Sequence, residues 1–222
     1  MYQHQTVSLN NIDLPVGKVV CVGQNYHDHI QEMGSIVNDE PVLFMKPSTA
    51  LHDLLKPFSV PENQGDCHNE AEIAVLIHKP LKNAAANDVM DAVWGYGIGL
   101  DLTLREVQQS LKKLGRPWEI AKAFDGSAPV SPFIEKSQFS DPQNISFSLL
   151  VNDDTRQQGN SKLMVHSITK LLSTISQHFT LLPGDIVLTG TPAGVGPLIV
   201  GDELELSITN HKFNTKVIKA AD

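Results

Sequence analysis

Two glutamates separated by one residue open the stretch richest in chemistry. Glu70 and Glu72 head the run Glu70-Ala71-Glu72-Ile73-Ala74-Val75-Leu76-Ile77. That run is aliphatic and β-branched and reads as a strand. Alternate strand residues share a face, so both carboxylates point the same way with Cα atoms ~6.5–7 Å apart. Carboxylates that close repel unless something positive lies between them. Asp101, at the end of the apolar run Ile98-Gly99-Leu100, offers a third. Three carboxylates converging on one point suit a hard divalent cation such as Mg²⁺, Mn²⁺ or Ca²⁺. The plainer alternative places Glu70 and Glu72 on the wet face of an edge strand. A Glu-x-Glu pair alone does not decide between the two.

His29 and Glu32 form a second pair. Asn25 reads as the cap of a short helix through Met33, with Gly34 as its stop. On that helix, residues three apart share a face, and the bland reading is an exposed, solvated pair. Thr103 and Glu106 have capping-box spacing at the start of the next helix, which carries Leu104, Val107, Leu111 and Leu114 and stops at Gly115. Asp101 therefore lies where a strand hands over to a helix. Ser161 to Phe179 reads as the longest helix, with Met164, Ile168, Leu171, Leu172, Ile175 and Phe179 as its buried stripe and His166 and His178 at the surface. Short strands are expected at Lys18–Val22, Ile145–Val151, Ile186–Thr189 and Glu203–Ile208. Gly190 to Pro197 is glycine-rich but lacks the Gly-Lys-Ser/Thr ending of a phosphate-binding loop. Its backbone N–H groups can still hold a carboxylate.

The 222 residues suit one domain spanning 1–222 with a sizeable core. The composition, 41% hydrophobic and 19% charged, is that of an ordinary globular protein. A net charge of −8 without a basic patch argues against nucleic acid and anionic membrane as partners. No apolar run approaches the ~20 residues of a membrane span, and no signal-peptide core precedes the first strand. Cys21 and Cys67 show no ligand spacing; they read as buried fillers in a reducing cytoplasm.

Taken in order, the motifs resemble the fumarylacetoacetate hydrolase family over Val16 to about Ile208. The likeness rests on Gly23-Gln24-Asn25-Tyr26 with His29 and Glu32, Pro41 to Ala50, Glu70-Ala71-Glu72-Ile73, Gly95-Tyr96 with Asp101-Leu102-Thr103, Lys122-Ala123-Phe124-Asp125, and Pro183 to Pro192. The small form is similar to the acylpyruvase and oxaloacetate decarboxylase branch. The resemblance implies a mainly β fold with a few helices (α+β), a mixed β-sandwich roll, and a homodimer. It implies Mg²⁺ or Mn²⁺, with Ca²⁺ as a substitute in crystals, on Glu70, Glu72 and Asp101. It assigns a catalytic dyad to His29 and Glu32 on a lid from Asn25 to Glu40, a catalytic lysine to Lys122, and substrate contacts to Gln108 and Thr191. Three positions depart from the usual pattern: Asn69, Glu106 and Ala123 stand where Tyr, Asp and Ser are common.

The implied chemistry is enolate chemistry on small 2-oxo acids. A cation on three carboxylates keeps open positions for a substrate carboxylate and 2-oxo oxygen. For a 3-acylpyruvate, His29 oriented by Glu32 activates water and the C3–C4 bond breaks to an enolate. Lys122 offsets oxyanion charge. Loss of CO₂ from oxaloacetate, or keto–enol isomerisation, uses the same enolate. A catalytically silent ligand-binding homologue is the expectation from a different class.

Overall fold

The computed structural model describes residues 2–34 and 39–220. Residues 35–38, part of the expected lid, lie outside the described residues. In chain order the strands are β1 (Val19–Gly23), β2 (Val42–Lys46), β3 (Leu51–Asp53), β4 (Phe58–Ser59), β5 (Cys67–Asn69), β6 (Ala71–Ile77), β7 (Val93–Leu100), β8 (Thr103–Leu104), β9 (Ala128–Val130), β10 (Ile134–Glu135), β11 (Ser146–Val151), β12 (Asp154–Asn160), β13 (Ile186–Leu188), β14 (Gly196–Pro197), β15 (Glu203–Ile208) and β16 (His211–Ile218). The helices are α1 (His27–Glu32), α2 (Arg105–Lys113), α3 (Glu119–Lys122) and α4 (Ile168–His178).

One mixed sheet runs β2-β1-β13-β6-β7-β9-β3, with β10 also on β7; a second runs β12-β11-β15-β16-β4; a small third runs β14-β5-β8. The large sheet is buried on both faces. Alternate residues of β6 divide between two cores: Ala71, Ile73, Val75 and Ile77 join one, Ala74 and Leu76 the other. The first core is closed by Phe147, Leu149, Leu204 and Leu206 of the second sheet and by Leu171, Leu172 and Ile175 of α4. The second is closed by Ala50, Leu51, Val130 and Phe133, with Leu14 and Val16 of the N-terminal segment against it. This is the expected mainly β, sandwich-like fold, in which a two-sided strand must be apolar throughout. Cys21 and Cys67 are buried, unpaired members of these cores.

The strand carrying the paired glutamates is therefore interior. β6 lies between β13 and β7, so the edge-strand alternative for Glu70 and Glu72 fails. Glu70 itself stands just before β6 rather than inside it. The β6–β7 register pairs Ala71 with Leu100 and Glu72 with Gly99. Continued one step, it sets Asp101 opposite Glu70, and the Asp101 N–H donates to the Glu70 carbonyl at 2.8 Å.

Three local expectations change. Asn25 does not cap α1. Its amide donates to the carbonyls of Thr189 at 2.8 Å and His166 at 3.1 Å, and its Oδ1 accepts the His166 N–H at 2.7 Å. The expected helix from Ser161 starts only at Ile168, where the Ser167 hydroxyl accepts the Lys170 N–H. Its intended first turns are spent elsewhere: Met164 bridges to Tyr26, and Val165 and His166 donate to Asn25. Thr103 and Glu106 form no capping box. The Thr103 hydroxyl turns back to the Asp101 carbonyl at 3.0 Å, and Glu106 accepts the Asp66 N–H at 2.8 Å. For Asn25, the Met164–His166 segment and Glu106, a contact distant in sequence outcompetes the local one; Thr103 instead turns to a carbonyl two residues back.

Candidate active site

The site grows from the ends of β6 and β7. Glu70, Glu72 and Asp101 are 5%, 1% and 1% exposed, too dry for solvated carboxylates. They offer ligand oxygens within 4.8 Å of one another. Their partners differ. Glu70 meets two cations: Arg105 Nη2 lies 2.6 Å from Oε1 and Lys122 Nζ 2.6 Å from Oε2. Lys122 also reaches Asp101 Oδ2 at 2.7 Å. Among the described residues Glu72 has only the Gly190 N–H, at 2.7 Å.

The charge states follow from these partners. Burial alone would raise the Glu70 carboxyl, but Lys122 and Arg105 outweigh it and hold the group well below the usual carboxylate range. Burial pushes Glu72 well above that range, and the charges of Asp101 and Glu70 push it further. Burial would lower Lys122, but Asp101 and Glu70 hold it above the ordinary lysine range, so it stays an ammonium at neutral pH. The cluster is thus short of positive charge on the Glu72 side.

Asp101 is better supplied: Lys46 Nζ lies 2.8 Å from its Oδ1, and Lys122 faces its Oδ2. The Lys46 ammonium is held among the carbonyls of Lys122, Leu102 and Ser127 and the Ser127 hydroxyl. Three dry, convergent carboxylates, one of them with no ammonium or guanidinium partner among the described residues, are the donor set a hard divalent cation takes. The residues present fit such an ion.

A cavity of about 40 Å³ opens above the cluster, lined by His29, Glu70, Glu72, Arg105, Gln108, Lys112, Lys122 and Thr191, with Val22, Phe44, Met33 and Trp118 among its apolar walls. His29 comes from α1 and is 6% exposed, not a solvated surface residue. Its Nδ1 lies 3.2 Å from Glu32 Oε2, and Glu32 Oε1 accepts the Gly194 N–H at 3.0 Å. The glycine-rich loop thus holds two of the protein's own carboxylates, Glu72 through Gly190 and Glu32 through Gly194. Lys122 ends α3 and is 2% exposed, with its Nζ 5.0 Å from the Phe44 ring centroid.

Gln108 lines the cavity from α2, and its Oε1 accepts from Arg105 Nη1 at 2.8 Å. Thr191 lines it too, but its hydroxyl is committed: it donates to the Ala71 carbonyl at 2.8 Å and accepts from Gln157 Nε2 at 2.7 Å. The three departing residues stay off the cavity wall. Asn69 donates to Gln157 Oε1 at 2.8 Å, and Glu106 faces Asp66.

Sequence reading missed four positioning residues. Lys46 is a fully buried cation in an otherwise apolar, proline-bounded strand, which was the available signal. Arg105 precedes Gln108 by three and so shares its helix face. The roles of Asn25 and Gln157 could not be read locally, because their partners, Thr189 and His166 for the one and Asn69, Ala71 and Thr191 for the other, all lie far away in sequence.

Gly190 ties this geometry to the backbone. Its φ is +97°, and a Cβ there would fall 2.6 Å from the Asn25 Cβ. Gly190→Ala is expected to cost about 1–3 kcal/mol through the left-handed φ and the clash. Urea midpoints compared with wild type check this; an unchanged midpoint would show that the loop repacks freely.

Fold and site together define a β-roll protein with a buried, carboxylate-built candidate cation site under a small cavity. The chain belongs to the fumarylacetoacetate hydrolase family: residues 18–218 match the model of the fumarylacetoacetate (FAA) hydrolase C-terminal domain. It is 53% identical over 219 residues to the oxaloacetate tautomerase YcgM of Escherichia coli (strain K12), covering 98% of this chain and 100% of that protein. A fumarylacetoacetate hydrolase family protein from Yersinia pestis CO92 matches with TM-score 0.96 and 52% identity, over 98% of this chain and 100% of the other. The fumarylpyruvate hydrolase of Pseudomonas aeruginosa, solved with Mn²⁺ and pyruvate, matches with TM-score 0.92 and 34% identity, over 99% and 96% of the two chains. No described helix is long and apolar enough to cross a membrane.

Proposed function

We propose that this protein is a divalent-metal-dependent enzyme that interconverts the keto and enol forms of oxaloacetate. One observation carries the reading: the buried Glu70–Glu72–Asp101 cluster and the His29–Glu32 pair meet at one small cavity. The near full-length likeness to an oxaloacetate tautomerase supports the choice among enolate reactions. It moves isomerisation ahead of the hydrolysis that the sequence motifs put first.

Glu70, Glu72 and Asp101 would hold Mg²⁺ or Mn²⁺. When bound, the cation supplies positive charge beside the 2-oxo oxygen and lowers the cost of the enolate. The residues do the rest. Glu32 engages His29 Nδ1, which assigns the proton to that nitrogen and leaves Nε2 as the basic one. Nε2 takes a proton from C3 of the keto form, leaving the enolate, and the resulting imidazolium gives that proton to the 2-oxygen to complete the enol; the reverse direction carries the enol O–H proton back to C3. Lys122, fixed as an ammonium, has donors enough for Glu70, Asp101 and one substrate oxygen. Val22, Phe44 and Trp118 make the walls partly apolar, which strengthens every charge contact inside.

The test is the ultraviolet absorbance of enol-oxaloacetate with Mg²⁺, with Mn²⁺ and with EDTA. Catalysed decay that EDTA abolishes and either metal restores is expected. Decay at the buffer rate, or indifference to EDTA, would overturn the reading. A second reading, hydrolytic C–C cleavage of 3-acylpyruvates, is favoured by the likeness to the Pseudomonas hydrolase. Acetylpyruvate and fumarylpyruvate in the same assay decide it.

A further inference from the structure

We propose that Lys112 sets the substrate's length and charge: its ammonium receives the distal carboxylate of a 2-oxo dicarboxylate held at the Glu70–Glu72–Asp101 end. The inference rests on the reading of function above and extends it to a residue with no assigned role.

Three cations line the cavity among the described residues, and two already face the carboxylate cluster. Arg105 is committed to Glu70 and Gln108, and Lys122 to Glu70 and Asp101. Lys112 also lines the cavity, is exposed, and has no ion-pair or hydrogen-bond partner for its ammonium among the described residues. Its place on α2 is specific. Arg105, Gln108 and Lys112 are spaced three and four apart, so they form one stripe along the helix. At 1.5 Å per residue that stripe carries Lys112 about 10 Å outward from Arg105. Side chains on a helix lean toward its N-terminus, so Lys112 leans back over Gln108 toward the carboxylate cluster.

The stripe therefore grades from an arginine clamped on Glu70, through an amide, to a free ammonium at the rim. A dicarboxylate with one end at the cluster presents its second charge outward along this stripe. Of the other lining residues outside the carboxylate cluster, Gln24, Met33, Phe44 and Trp118 have no charge to offer it. A monocarboxylate with an acyl tail has no second anionic group for Lys112 to pair with.

The experiment compares Lys112→Met, Lys112→Arg and Lys113→Met in the Mn²⁺-loaded protein. Lys113 is the exposed neighbour, does not line the cavity, and reports the same change in net charge. Calorimetry measures two probes: pyruvate, a 2-oxo monocarboxylate, and 3,3-difluorooxaloacetate, a 2-oxo dicarboxylate without C3 hydrogens. Lys112→Met is expected to weaken the dicarboxylate about 10-fold, the low end for a hydrogen bond to a charged group, and to leave pyruvate unchanged. Lys112→Arg and Lys113→Met should bind both probes as wild type does. In turnover, Lys112→Met should raise KM for oxaloacetate and leave kcat in place. No loss for the dicarboxylate, equal losses for both probes, or an equal loss in Lys113→Met would each overturn the assignment. A wild type that binds the dicarboxylate but does not tautomerise oxaloacetate would refute the proposed reaction, while the binding pair still reads Lys112.

Discussion

Glu72→Gln is expected to abolish metal-dependent turnover while leaving the metal-free protein as stable as wild type or more so. The two halves of that result have one cause. Glu72 sits among like charges with a single backbone donor, and burial and the neighbouring carboxylates push it well above its ordinary range. A glutamine is neutral, nearly isosteric, and its carbonyl can accept the same Gly190 N–H. Removing the charge therefore relieves repulsion in the metal-free state. With metal, the change deletes one of three anionic ligands. Lewis-acid stabilisation is worth several kcal/mol, so a loss of at least about 10³-fold in kcat/KM is expected. Metal-linked stabilisation, about 2.7 kcal/mol at a hundredfold excess over Kd, should vanish in the variant. Asp101→Asn gives the contrast. It also loses metal, but it removes the anion beside Lys46, which is 0% exposed, and beside Lys122. Stranding buried cations is strongly destabilising. Thermal melts with and without Mn²⁺ separate the two variants. If Glu72→Gln kept its metal-linked shift, the cation would bind elsewhere.

The cluster was legible in sequence for a definite reason. A strand's period of two aligns Glu70 and Glu72, and the order of motifs along the chain joined Asp101 to them. Only the first relation is local; Asp101 falls opposite Glu70 once β7 pairs with β6. The β-rich class was legible for the same reason, since strands such as Ile186–Leu188 and Glu203–Ile208 carry their own pattern. What could not be read was where long-range hydrogen bonds would win. Asn25 looks like a helix cap until Thr189 and His166 are placed beside it. Glu106 looks like the closing residue of a capping box until the Asp66 N–H claims it. Lys46 looks like a strand-end lysine until the Lys122, Leu102 and Ser127 carbonyls surround it. Those contacts exist only once the sheets have formed, and no local window contains both partners.

The His29–Glu32 pair gives the second large effect, and it separates the reactions one enolate can serve. Moving a proton at C3 needs a base in the rate-determining exchange; losing CO₂ from oxaloacetate does not. General-base help is typically ~10²–10⁴-fold, and His29→Ala should lower tautomerisation by that much. Any oxaloacetate decarboxylation by the same protein should fall far less, since the carboxylate cluster that stabilises the enolate is untouched. Glu32→Gln keeps a group beside Nδ1 but no longer compels the tautomer with a basic Nε2. It also weakens the hold of the Gly194 N–H on the α1 end. Its loss should therefore be intermediate, in kcat more than in KM. The measurement is the ratio of the two activities across wild type, His29→Ala and Glu32→Gln, with metal saturating throughout. Equal losses in both activities for His29→Ala would sink the base assignment. His29 would then act only by packing α1 over the cavity, where it lies 6% exposed.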